Sequence, residues 1–163
     1  LKVICGNSFV GSTYPKDSAY NIARIGNLAF HNTGFTDDAA KNFFKENGIK
    51  LCHTNQGYTK CSVAVTGINS CITSDRGVYK ALLQEGVDAL LIEPGFISLP
   101  GFSTGFFGGC AALIAPDKLF VTGSLKKHPD CDKIKNFLKI RGIEIFEAGD
   151  NPPLDIGSVI CIA

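Results

Sequence analysis

The sequence predicts an α/β domain assembled from repeated strand–strand–helix–strand units. Three observations carry that expectation. Strand and helix signals alternate along the 163 residues in one order that recurs. The helix exits read Asn47-Gly48-Ile49, Glu85-Gly86-Val87 and Arg141-Gly142-Ile143, each with Gly where a left-handed cap is wanted and a β-branched residue opening a strand. Counted from Asp17 through Cys61 and Cys110 to Gly157, the units recur at 44, 49 and 47 residues, a period that marks stacked supersecondary units.

Val3-Ile4-Cys5 reads as a short opening strand, and Leu28-Ala29-Phe30-His31 as another. Thr36-Asp37-Asp38 supplies a helix N-cap with acids in the first turn, and Ala40, Phe43 and Phe44 share the face behind it. Asn47-Gly48 closes that helix, and strands are expected at 49–52 and 61–65. The order then repeats: a strand at 70–73, a helix from Asp75 to Glu85 with Val78, Leu82 and Leu83 on one side, a strand at 87–92, and a Pro/Gly-rich loop leading to a strand at 110–114. A third round has a strand at 119–122, a helix from Asp130 to Lys139, and a strand at 143–146. After the Pro152-Pro153 loop comes a strand at 158–162. Asp75 and Asp130 are read as N-caps. Residues 1–163 form one domain of three full repeats and part of a fourth, and the absence of Met together with Leu1 at the start predicts further residues ahead of it in the natural protein.

A doubly wound parallel sheet would also alternate strands and helices, but it needs a Gly-rich phosphate loop between a strand and the following helix. Here the Gly-rich stretch 95–109 joins strand to strand, while the strand-to-helix turns carry Asp, Ser or Pro. The net charge of +1, with basic residues scattered, excludes an electrostatic footprint for nucleic acid or an anionic membrane. No apolar run approaches the roughly 18 residues that span a bilayer. Seven cysteines without a C-x-x-C pair argue against a zinc ribbon or a disulfide scaffold, so neither metal nor cofactor is expected, and a reducing cytoplasm is the simple location.

The strand starts after the loops read Tyr58-Thr59-Lys60-Cys61-Ser62, Phe107-Gly108-Gly109-Cys110-Ala111 and Asp155-Ile156-Gly157-Ser158, and Tyr14-Pro15-Lys16-Asp17-Ser18 has a similar look. In order and position these resemble the guanidine-modifying enzyme, or pentein, superfamily, amidinotransferase-like proteins in which ββαβ units circle a pseudo-fivefold axis as an α/β-propeller. More closely, the chain is similar to a family of that fold designated only as a domain of unknown function. Gln56-Gly57-Tyr58-Thr59-Lys60-Cys61-Ser62, Thr73-Ser74-Asp75, Leu99-Pro100-Gly101 and Gly105-Phe106-Phe107-Gly108-Gly109 carry the match. Two features depart from the deiminase-like pattern. Leu154 or Asp155 stands where that pattern has its catalytic His, and the C-terminal nucleophile has no counterpart.

The resemblance implies that the strand starts converge on an axis, where Asp17, Lys60, Cys61, Cys110 and Asp155 would share a cavity. Guanidine chemistry uses carboxylates to grip the planar cation and a thiolate to attack its central carbon. Cys61 and Cys110 are therefore the candidate nucleophiles, with Lys60 placed to lower a thiol pKa. Asp17, Tyr58, Lys60, Gly108, Gly109, Asp155 and Ser158 are the candidate ligand-binding residues. Each has a plain alternative: the cysteines as buried strand residues, Tyr58 as packing, and the glycines as a close approach to a neighbouring strand. His31, His53 and His128 fall outside the strand starts and read as solvated or structural. The leading expectation is a domain that binds a small polar, guanidino or amino-acid-like molecule in an axial cavity. The alternatives are a Cys-dependent hydrolase or amidinotransferase acting on a guanidino compound, and a non-catalytic structural or assembly protein. The strand edges of an incomplete ring favour a homodimer.

Overall fold

Each repeat forms its own small sheet. The computed structural model of the chain describes residues 3–161. In the first unit β1 (Ala23–Ile25) pairs antiparallel with β2 (Leu28–His31), α1 (Asp38–Glu46) crosses over, and β3 (Lys50–His53) pairs parallel with β2. The second unit repeats this with β4 (Val63–Gly67), β5 (Ser70–Thr73), α3 (Arg76–Gln84) and β6 (Asp88–Leu91). The third does so with β7 (Ala111–Ala115), β8 (Lys118–Val121), α5 (Cys131–Lys139) and β9 (Glu144–Glu147). The result is three separate three-stranded sheets of identical ββαβ topology. Two four-residue helical turns, α2 (Thr59–Ser62) and α4 (Phe107–Cys110), lead into the second and third units.

The repeat extends to single hydrogen bonds. Each helix ends on a Gly at positive φ (Gly48, Gly86 and Gly142), and the next N–H reaches back to the last turn: Ile49 to Phe44, Val87 to Leu82, and Ile143 to Leu138. The following N–H bonds the hairpin turn in each unit, Lys50 to Asn27, Asp88 to Asn69 and Glu144 to Asp117, which sets the parallel register. One buried cluster, Ala29, Phe44 and Ile49, lies within the first unit, and two larger ones lie between units. Ala23, Ile25, Phe30 and Cys52 pack with Val63, Cys71, Val78 and Leu82, while Ala64 and Ile72 pack with Ala111, Leu119, Val121, Ile134 and Leu138. The first strands stand next to one another, β1 on β4 and β4 on β7.

Several expected elements differ. Val3–Cys5 is not a strand; Val3 and Ile4 are exposed with no partner strand beside them. The first strand of that unit is β1, whose Ala-Arg-Ile offers no apolar run to read. Residues 59–62 close a helical turn because Ser62 donates its N–H and its hydroxyl to the Tyr58 carbonyl, so the strand begins only at Val63. The equivalence of Cys61 and Cys110 shifts with it: Cys61 is third in its turn and Cys110 fourth. Residues 158–161 form no ladder, and Ile162 lies outside the described residues. Asp130 does not cap α5 through its side chain, since its carboxylate accepts the Glu93 N–H at 2.6 Å instead. Among the described residues no helix is long and apolar enough to cross a membrane.

Asp37 ties the N-terminal segment to α1. One oxygen accepts from Ala39 and Ala40, capping the helix, and the other accepts from the N–H groups of Asn7 and Ser8. Burial opposes the charge, but the Ser8, Ala39 and Asn7 donors outweigh it and hold the carboxyl at about 2. A pKa depressed below the ordinary carboxylate value of about 3.9 stabilises the fold above that value and loses its effect as pH falls through the folded one. Asp37→Asn is therefore expected to lower the melting temperature near neutral pH, with the gap to wild type closing as pH falls from about 4 toward 2. A gap independent of pH in calorimetric melts would refute this account.

The α2 and α4 turns meet backbone to backbone. A Cβ on Gly108 would overlap the Val63 carbonyl and lie 2.6 Å from the Lys60 oxygen. Gly108→Ala should destabilise the protein by about 3 kcal/mol, because the opposing atoms are main chain and cannot rotate away. Gly149→Ala, with open space around it, should fall within about 0.5 kcal/mol of wild type. Urea midpoints that agree for the two variants would contradict the close approach.

Candidate functional site

Ahead of β4 and β7, polar side chains gather at the strand starts in two adjoining groups. In the first, Tyr58 donates its hydroxyl to Asp17 Oδ2 at 2.6 Å. Burial and the Asp17 carboxylate together push the Tyr58 phenol up to about 12, so it remains a donor across the physiological range. Asp17 Oδ1 is buried and has no hydrogen-bond partner among the described residues. Aromatic rings form a row beside it. The Tyr14 ring lies 5.5 Å from both Phe35 and Tyr58, and Tyr58 lies 6.2 Å from Phe106. A carboxylate with an unused oxygen beside π-faces is an arrangement that attracts a cation.

His31 shapes this group from behind. It is fully buried at the end of β2, with Nε2 2.9 Å from the Gly57 carbonyl and Nδ1 2.7 Å from Thr36 Oγ1. Burial lowers its pKa, so the neutral ring donates from Nε2 to Gly57 and accepts at Nδ1. That bond holds the Gln56-Gly57 turn under Tyr14, where a Cβ on Gly57 would lie 2.7 Å from the Tyr14 ring. The Gln56 side chain accepts the Tyr58 N–H and donates to Asp75, which also caps α3.

The second group surrounds Cys61. Asn21 bridges to it twice: its carbonyl oxygen accepts the Cys61 N–H, and its amide donates to Sγ, each at 3.0 Å. The thiol donates to the Gly157 carbonyl at 3.0 Å. Burial raises the Cys61 pKa and the Asp155 charge adds to this, against Asn21, Lys60 and Ser158, which favour the thiolate. Lys60 reaches the Gly108 carbonyl at 3.4 Å, and burial lowers its pKa. Lys60 and the 159–161 segment line a cavity of about 260 Å³ beside β7.

Asp155 is occupied by the backbone. Its Oδ2 accepts the Phe106 N–H and its Oδ1 the Gly157 N–H, both at 2.8 Å, and the residue is only 7% exposed. Gly109 lies directly against this carboxylate, so the Gly108-Gly109 pair makes room for main chain on one side and Asp155 on the other. Cys110 is fully buried, its thiol donates to the Phe107 carbonyl at 3.2 Å, and burial drives its pKa far above the thiol range. The strand starts thus come together, but with unequal roles. Asp17 keeps one buried oxygen without a donor beside Tyr58, Lys60 and Ser158 lie by the Cys61 thiol, Gly108, Gly109 and Asp155 hold neighbouring segments together, and the Cys110 thiol bonds within its own turn. Sequence reasoning did not nominate Tyr14, Asn21 or Phe35. Tyr14 stood in a quoted motif, whereas Asn21 and Phe35 carried no local signal.

No curated protein matches the chain. A solved structure similar to it is the agmatine deiminase of C. jejuni, with a TM-score of 0.41 and 17% identity over 75% of this chain and 44% of that one. The chain therefore spans less than half the length of that protein. The model of a family described as a family of unknown function (DUF6873) matches residues 1–160. The chain belongs to that family.

Proposed function

We propose that the chain is a pentein-like domain that binds a small cationic, guanidino- or amino-acid-like molecule at Asp17. Three ββαβ units with adjacent first strands support the pentein reading, because a ring about a common axis needs that neighbour relation. The observation that carries the ligand reading is Asp17 Oδ1. A buried carboxylate oxygen without a donor costs free energy, and a guanidinium or ammonium N–H is the complement it lacks. Tyr14 and Tyr58 add π-faces for the same charge. Asp155, whose oxygens already serve the backbone, stays with the scaffold, so one carboxylate carries the recognition.

Thiol catalysis through Cys61 is the second reading, favoured by the Asn21 amide on Sγ and the nearby Lys60. It requires a thiolate, and burial together with donation to Gly157 holds the proton on sulfur. Binding without turnover is the function this balance supports.

Arginine and agmatine are expected to raise the melting temperature saturably, while butylurea, which carries no cation at all, should have little effect. Asp17→Asn should abolish the shift, and Tyr14→Ala should weaken it about fivefold. Equal shifts with butylurea, or none with either arginine or agmatine, would remove the cation site. For the thiol, alkylation followed by peptide mapping should show Cys61 reacting more slowly than free cysteine near neutral pH and accelerating only as pH rises above the ordinary thiol value of about 8.5. Rapid labelling of Cys61 at neutral pH would favour catalysis over simple binding.

A further inference from the structure

A second cavity lies away from the Asp17 group, in the third unit. Its volume is about 460 Å³, within the roughly 300–1,000 Å³ of small-molecule sites. Its walls come from the loop 95–103, the 3-10 turn at Leu125–Lys127 with His128, and Pro152-Pro153. Backbone bonds fix these segments against each other: Ser98 N–H to the Pro153 carbonyl, Asp155 N–H to the Ser98 carbonyl, and Ser124 N–H to the Asn151 carbonyl. The cavity is therefore built into the frame of the unit.

His128 is the unusual member. Only 4% exposed, it packs its ring 5.3 Å from that of Phe96. Its Nδ1 accepts the Asp130 N–H at 3.0 Å, so the neutral ring carries its proton on Nε2, and Nε2 has no partner among the described residues. A buried N–H without an acceptor is costly, and a ligand oxygen would relieve it. Lys127 also lines the cavity and stands in no salt bridge among the described residues, whereas Lys126 and Lys133 pair with Asp150 and Asp130. The carboxylates that act on His128 are those of Glu93 and Asp130, the latter taking the Glu93 N–H and pairing with Lys133, while Glu147 is engaged with the Ser124 hydroxyl and the Leu125 N–H. Phe96, Ile97, Leu99 and Phe102 supply an apolar wall, with Phe102 74% exposed at the surface.

We propose that this cavity binds a small carboxylate with an aromatic or aliphatic body, the carboxylate accepting from His128 Nε2 and facing Lys127 while the body lies on the Phe96–Phe102 wall. One donor and one cation beside an apolar surface match a single anionic head on an apolar body. A phosphate, which presents more acceptors and no apolar part, would leave most of the wall unused.

Phenylacetate is the probe, with phenylacetamide and phenethylamine as its neutral and cationic counterparts, titrated against the full chain by calorimetry and by the histidine ring ¹H–¹⁵N spectrum. Phenylacetate should bind saturably and shift the His128 Nε2 resonance. The amide should bind more weakly, and the amine weakest of all. Lys127→Ala, an exposed change that leaves the core intact, should weaken phenylacetate about fivefold and leave the amide unchanged. Asp17→Asn should alter none of these affinities, which separates this cavity from the cation site. Any one of three results overturns the proposal: no saturable binding below about 10 mM, binding that leaves the His128 resonance unmoved, or an amine that binds as well as the acid.

Discussion

The contact on which this molecule depends is the approach of one backbone to another at Gly108. The α4 turn lies so close to the Lys60 and Val63 carbonyls that no side chain fits between them. That approach brings the start of the third unit onto the start of the second and sets the separation of β4 and β7. The hydrophobic cluster between the second and third units fills the space so defined with Ala64, Phe107, Cys110 and Ala111 together with larger aliphatic residues. The caps and ladders within each unit do not use this contact, but the placement of the third unit against the second does.

The polar groups at the junction follow from the same closeness. Four-residue turns leave backbone N–H groups without partners inside the turn, and buried donors must be met. Asp155 meets that of Phe106, and Asn21 meets that of Cys61, each from a different segment of the chain, while the second Asp155 oxygen takes the N–H of Gly157 two residues on. These side chains act as capping groups for neighbouring units, which is why a carboxylate, an amide and a thiol accumulate there. Asp17 is the exception, since only one of its oxygens is used. A site distinguished by what is left unsatisfied differs in kind from one merely rich in polar residues. His128, in the third unit, shows the same mark on the donor side.

The repeat was legible because its signals are local. Asp75 before a helix, Gly86 after it and Val87 opening a strand act through neighbours a few residues away; the structure repeats the helix exit in all three units and the side-chain cap in the first two. The strand starts were less legible. Residues 58–62 look extended by composition, but Ser62 and Thr59 fold hydroxyl bonds back onto the chain and close a helical turn. β1 escaped notice because its flanking partners, not its own Ala-Arg-Ile, hold it in a sheet.

By itself the sequence determined that ββαβ units follow one another, where the three crossover helices α1, α3 and α5 begin and end, and which segments approach the junction, since caps, periodicity and glycine conformation are short-range physics. Only the tertiary structure decided what each junction residue does. Asp17 and Asp155 are alike in the chain, and Cys61 and Cys110 sit in similar turns. Whether a carboxylate oxygen is spent on a backbone N–H or left open, and whether a thiol faces another segment or its own turn, depends on groups 40 or more residues away. Hydrogen bonding and burial at that range are properties of packed surfaces, which no local pattern encodes.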